Sequence, residues 1–339
     1  MTPSHLHYSK GTISIALVHE ALQAAQQQGV EIHAILTRAG IPLELMHSAK
    51  ARVSVLQYGQ LWIVLADAMN DEFFGMDSHP LRRGSYRLLS KWVYSADTVE
   101  TALKEILKFF NLILDDLRGE LELNEDAAVL TLHDRAQPKA MFSYATYLML
   151  VHSLICWLSG QRIAIQKIEL KCPAPSDDAD YRVRFCENIC YEQPANRIYF
   201  DAQALGLKIK QDERSWKRFL QQTPYNLLVR FKNPHALSTM IRKQLMQRPP
   251  NEWLELHELT RQLNMSGATF QRRLKQEGTS YQQLKNEIRR DTAIELLSKT
   301  ELSLQDISER LNFHDPSAFH RAFKKWTGLN PGAYRQNQS

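Results

Sequence analysis

Glycine and proline are scarce in this chain, 13 of each in 339 residues. That excludes a low-complexity or disordered polypeptide, and 44% hydrophobic against 23% charged residues describes a globular one. Cysteine is scarcer. All four, Cys156, Cys172, Cys186 and Cys190, fall within 35 residues. Cys186 and Cys190 make a C-x3-C with no second Cys or His pair at zinc spacing, so no metal is assigned. Nothing argues for a secretory context or for disulfides. The thiols read as buried, with redox or metal sensing as the alternative. The opening residues, Met1-Thr2-Pro3-Ser4-His5, lack the basic-then-apolar order of a secretory leader, which gives a cytoplasmic expectation. There is no phosphate-cradling glycine loop, no G-x-S-x-G and no H-E-x-x-H, so no catalytic residue and no cofactor are assigned.

Acidic and basic residues are missing altogether from 140–161. Such a length spans a bilayer. However, Ser143, Tyr144, Thr146, Tyr147, His152 and Ser153 would be costly in lipid. The stretch is expected to be a buried core helix, with no membrane as partner.

The length suits two domains. Charge is divided unevenly between them: residues 231–339 hold 17 Lys and Arg against 11 Asp and Glu, and residues 1–230 hold 25 against 26. The basic excess therefore sits where a polyanion would be met. Apolar spacing predicts helices at 12–28, 32–39, 57–69, 85–94 and 98–115. The period then changes to two. Leu117, Gly119, Leu121 and Leu123, then Ala128, Leu130 and Leu132 past Asn124-Glu125-Asp126, predict an antiparallel hairpin. Short strands near 165–171, 189–192 and 197–200 and a helix at 177–185 complete an α+β domain, which a trailing amphipathic helix at 212–222 follows. Its aromatic side chains read mainly as core. The alternative is an apolar effector pocket lined by Trp62, Phe73, Phe74, Arg87, Trp92, Phe109, Tyr144 and Tyr147.

The C-terminal part carries the most specific pattern. Phe319, Phe323 and Trp326 share one helical stripe, with Ser317, His320, Arg321 and Lys324 opposite. Asp315 suits the N-cap and Pro316 the first turn. Upstream, Leu304, Ile307 and Leu311 mark a shorter helix that stops at Asn312, a residue tolerant of the left-handed conformation. The same arrangement occurs earlier. Leu259, Leu263 and Asn264 precede Ile307, Leu311 and Asn312 by 48 residues, whereas Phe270, Arg272, Leu274 and Lys275 precede Phe319, Arg321, Phe323 and Lys324 by 49. One inserted turn residue explains the change. Two helix-turn-helix motifs, about 254–276 and 303–326, are thus joined by a linker helix at 280–298, about 27 Å long. The positions facing base edges are Ala268, Gln271 and Arg272 in the first and Ser317, His320 and Arg321 in the second. Lys275, Arg289, Arg290, Lys324 and Lys325 are assigned to phosphates.

Residues 233–336 resemble the DNA-binding domain of the AraC/XylS family of bacterial transcription regulators. The resemblance is carried by Ile307, Leu311, Phe313, Ser317, Phe319, Arg321, Phe323, Lys324, Gly328, Pro331, Tyr334 and Arg335. Asn312 stands where that family usually has glycine. Residues 12–205 resemble the "arabinose-binding" regulatory domain of a subgroup, through Asp115-Asp116-Leu117 and Pro173-Ala174-Pro175. The resemblance implies an α+β effector-sensing or dimerisation domain at 1–230 and an all-α domain with two helix-turn-helix motifs at 231–339. It implies a homodimer that binds double-stranded promoter DNA, a small-molecule effector and RNA polymerase, with activation as the family tendency. Two other readings stay open: an N-terminal domain that only dimerises or contacts proteins, and an enzyme fused to a DNA-binding head.

Overall fold

The computed structural model describes residues 11–124, 127–135, 137–228, 237–277 and 279–335. The hairpin turn expected at Asn124-Glu125-Asp126 is described only at Asn124. The first ten residues and the 230/231 boundary lie outside the described residues. In chain order the elements are β1 (Thr12–Ser14), α1 (Ile15–Gln27), α2 (Ile32–Ala39), β2 (Arg52–Ser54), α3 (Val55–Met69), α4 (Ser85–Val93) and α5 (Val99–Ile113). Then come β3 (Leu117–Leu123), β4 (Ala127–Asp134), α6 (Met141–Ser159), β5 (Ile165–Glu169), α7 (Ala179–Arg184), β6 (Ile189–Cys190), β7 (Asn196–Asp201), α8 (Ala202–Leu205), α9 (Glu213–Gln222) and α10 (Tyr225–Leu228). The C-terminal helices are α11 (Leu237–Met246), α12 (Leu256–Gln262), α13 (Gly267–Gln276), α14 (Tyr281–Lys299), α15 (Leu304–Arg310) and α16 (Pro316–Thr327).

Two compact units result. One holds residues 16–39 and the described residues of 58–231; the other holds the described residues of 1–15, 40–57 and 232–339. Residues 11–15 and 40–57 thus group with the C-terminal helices. Thr12–Ser14, expected to open the first helix, form a strand instead. They pair antiparallel with Arg52–Ser54, with Ile13 opposite Val53, and β2 packs on α14. β-Branched Thr12, Ile13 and Val53 favour that extended pairing over a helix start.

The N-terminal unit is built on a five-stranded sheet of order β3-β4-β7-β5-β6, antiparallel except between β5 and β6. Leu117 and Gly119 of β3 are buried while Arg118 and Glu120 are exposed, the alternation of a strand with one wet face. Thr98 caps α5 by accepting from Thr101 N, and α5 packs on β3 and α6. The uncharged stretch is α6, with 94% of its most apolar window buried inside the unit. His152 on that helix bonds through Nε2 to Ile163 O at 2.7 Å, and burial pushes its pKa down to about 3. It is a neutral core histidine.

Asp116, in the Asp-Asp-Leu triplet, has a structural task. Its carboxylate accepts from Ser78 N, Ser78 Oγ and, at 2.6 Å, Lys139 Nζ. Those bonds hold its pKa below the usual carboxylate range although partial burial opposes them. Burial raises the Cys156, Cys172 and Cys186 thiols to about 11, away from the reactive thiolate.

Gly119 shows how closely α5, α6 and the sheet meet. A Cβ there would lie 2.8 Å from both Leu107 Cδ2 and Tyr147 Oη. Gly119→Ala is expected to destabilise the N-terminal unit by about 1–3 kcal/mol, read as a lower urea midpoint at unchanged slope.

Candidate nucleic-acid interface

Each of the two helix-turn-helix motifs turns on one asparagine. Asn264 has φ +52° and Asn312 φ +57°. In the first turn Met265 N donates to Thr260 O and Asn264 N to Arg261 O. In the second, Phe313 N donates to Ser308 O and Asn312 N to Glu309 O. These are matching Schellman stops, which satisfy the helix-end carbonyls and send the chain off sharply. The next helix starts two residues later at Ser266, which accepts from Thr269 N, or three residues later at Asp315, which accepts from Ala318 N at 2.7 Å. The difference is the inserted turn residue anticipated from the change of offset.

Behind the turns lie two cores. The first gathers Leu237, Ile241, Leu245, Trp253, Leu259, Phe270, Leu274, Tyr281, Leu284 and Ile288. Trp253 Nε1 donates to Leu245 O at 2.8 Å, and Tyr281 Oη donates to Leu254 O at 2.7 Å. The second packs Phe313, Phe319, Phe323 and Tyr334 in sequence, tilted or edge-on, with centroids 5.0–5.6 Å apart. Burying Phe270 and Leu274, or Phe319 and Phe323, leaves the opposite helix faces outward. Ala268, Gln271, Arg272, Ser317 and Arg321 are exposed, and His320 is half-buried beside the Phe319 ring. Lys275, Lys324 and Lys325 are exposed as well.

Arg289 and Arg290, assigned to phosphates from the sequence, are half-buried and both make contacts within the unit. Arg289 Nε donates to Leu311 O at 3.0 Å, and its guanidinium lies 5.2 Å from the Trp253 ring and 5.5 Å from that of Phe313. It thus joins the first core to the second. Burial lowers its pKa, a cost that the carbonyl at the end of α15 and two aromatic faces offset. Arg290 is only 17% exposed and binds Asp291 Oδ1 through Nε and Nη2 at 3.0 and 2.8 Å. Adjacent helical positions face about 100° apart, so the sequence marks two cations without showing that both turn inward.

One feature was missed in the sequence. An open groove of about 680 Å³ beside Gln271 and Lys275 is lined also by Gln282, Gln283 and Lys285 from the start of α14. The polar residues of that first turn were its only signal. The residues suggested for an effector pocket are dispersed. Trp62, Phe73, Phe74, Phe109, Tyr144 and Tyr147 are buried, whereas Arg87 and Trp92 lie on the outer face of α4. Trp62 packs edge-on against Phe74 at 4.9 Å, Tyr147 packs on Phe110, and Tyr144 Oη donates to Asp134 Oδ1. The structure uses these rings as core.

Arg289→Ala is expected to cost about 2–4 kcal/mol, the worth of a charge-assisted buried hydrogen bond and of cation–π contact. Amide exchange of α12–α16 under increasing urea would measure it. Arg289→Lys should recover little, because an ammonium lacks the planar fork that stacks between two rings.

Comparisons with known proteins agree with this architecture. The family model described as the arabinose-binding domain of AraC transcription regulators matches residues 29–209, and a helix-turn-helix domain model matches residues 259–337. The ornithine utilization regulator of Pseudomonas aeruginosa is 25% identical over 341 residues, 98% of each chain. The regulator VqsM of the same organism is 31% identical over 88 residues, 26% of this chain and 27% of that one. The Escherichia coli regulator GadX is 27% identical over 122 residues, 36% and 44% of the two chains. A regulatory-domain match over more than half of the chain, followed by two matched turns with outward basic helices, makes this protein a member of the AraC family of DNA-binding transcription regulators.

Proposed function

We propose that the protein activates transcription by reading promoter DNA with α13 and α16, under the control of a small molecule held by the N-terminal unit. The observation that carries this reading is the pair of equivalent turns at Asn264 and Asn312, each setting a buried aromatic face behind an exposed polar one. In this reading Ala268, Gln271 and Arg272, and Ser317, His320 and Arg321, meet base edges. A guanidinium suits guanine and the Gln271 amide suits adenine. Lys275, Lys324 and Lys325 hold phosphates and fix register without reading sequence. Two heads on one chain engage adjacent grooves, and a homodimer that contacts RNA polymerase would double that footprint.

Effector control is supported by the arabinose-binding description of the N-terminal family model; it does not make arabinose the ligand. Binding would shift the population of the conformer whose heads engage DNA. A second reading, an N-terminal unit that only dimerises, is favoured by Leu88 and Trp92. They sit one helical turn apart on α4, 65% and 50% exposed.

A duplex selected from random DNA by the full chain tests the first reading. Arg272→Ala and Arg321→Ala should each weaken binding to it by about 5- to 150-fold, with little change on unselected DNA. Lys275→Ala should instead reduce the salt slope of binding by about 1 and leave the preferred sequence unaltered. For the N-terminal unit, a melting midpoint that rises with the concentration of one metabolite supports effector control. Flat midpoints, together with sedimentation as a monomer on Leu88→Asp, would favour the dimerisation module.

A further inference from the structure

The two heads are braced differently. On the first-head side, α14 carries α11; on the second-head side it carries β2. Thr12, fully buried, donates from Oγ1 to Asp291 Oδ1 at 2.6 Å, the same oxygen that Arg290 binds. Thr12 in turn accepts from Arg52, whose Nε reaches its Oγ1 and whose Nη2 reaches its carbonyl, both at 2.8 Å. The result is a continuous line of guanidinium, carboxylate, hydroxyl and guanidinium that links α14 to β1 and β2. Arg52 N donates to Tyr334 Oη, on the ring that meets Phe323 edge-on.

The segment that leads into β2 reaches α16 itself. Ser48 Oγ donates to Thr327 O at 2.9 Å, one of the helix-end carbonyls without a partner in the helix. The next residue, Gly328, has φ +77°, and a Cβ on it would collide with the Ser48 hydroxyl. The C-terminal end of the second reading helix is thus capped by a residue 279 positions earlier in the chain.

We infer that β1, β2 and the segment 40–51 that leads into β2 are a positioning element of the second DNA-reading head; this rests on the reading of α16 as a recognition helix. The element touches no base. It fixes the end and the floor of α16, as α11 and Trp253 fix the first head from within the C-terminal sequence. It also has a direct mechanical link to regulation. Ser14 runs into α1 and Ser54 into α3 with no residue between, and past Ile15 and Gln57 those helices belong to the N-terminal unit. A rearrangement of α1 or α3 therefore pulls on the residues that hold α16, and the hydrogen bonds described above go to Asp291, Thr327 and Tyr334.

The full chain is the object of the test. Thr12→Val removes the hydroxyl and leaves the Asp291 carboxylate short of one donor, whereas Thr12→Ser keeps it. In Thr12→Val the amides of α15 and α16 should exchange about tenfold faster. Those of α12 and α13 should keep the parent rate, and Thr12→Ser should match the parent throughout. On the duplex selected by the parent chain, Thr12→Val should lose footprint over one half-site only. No acceleration, acceleration shared by both heads, or faster exchange with an unchanged footprint each overturns the inference. Should Thr12→Val fail to fold, Ser48→Ala, which removes only the cap on Thr327, is read by the same measurements. A parent chain that selects no duplex would sink the DNA-reading assignment, and exchange would still decide whether the strands brace α16.

Discussion

A single half-buried guanidinium bridges the two apolar cores of the C-terminal unit. Arg289 reaches from α14 to the last carbonyl of α15 and lies near the Trp253 and Phe313 rings. Each head has its own apolar core, but apolar packing alone fixes the angle between two small bodies poorly. A planar cation with one hydrogen bond and two ring faces is directional. Two reading surfaces are useful together only when the spacing and phase between them match a duplex. On the proposed role of α13 and α16, the direction that this contact imposes between the two heads is a condition for recognition.

Much of this was legible beforehand, for identifiable reasons. The helices with strong 3.6-residue periodicity, α13 and α16, fall where the spacing put them, because burial of one stripe determines them locally; α6 was legible from its lack of charge, and it is buried nearly all round. Asn264 and Asn312 were legible because few residues tolerate a left-handed backbone, and both take it. The sheet hairpin followed from strict alternation. What could not be read depends on contacts distant in sequence. Thr12–Ser14 looked like the start of α1 because the stripe Ile15, Val18, Leu22 continues it, whereas their partner strand begins about 40 residues later. Arg289 and Arg290 looked like surface charge because sequence records a cation but not the direction it takes. The N-terminal aromatics are similar: composition supplied the rings, and packing buried Trp62, Phe73, Phe74, Phe109, Tyr144 and Tyr147.

The division into units has the same origin. A chain is usually cut where its composition changes, and here the basic excess begins near residue 231. The strand pair crosses that boundary because a buried carboxylate, Asp291, is satisfied in part by a hydroxyl at the opposite end of the sequence. Buried polar groups need partners wherever they can be found. They tie distant segments together in ways that hydrophobic patterning does not announce.

Helix α6 has a consequence for synthesis. Its 19 residues carry no charge, and strands that complete its surroundings follow it in the chain, β7 ending only at Asp201. At roughly 5–20 residues per second, a ribosome takes about 2–8 s to add that stretch. During this interval the nascent chain presents an oily rod some 28 Å long, long enough to be mistaken for a membrane anchor or to invite a chaperone. Codon usage between residues 160 and 201 thus has a physical reason to favour speed.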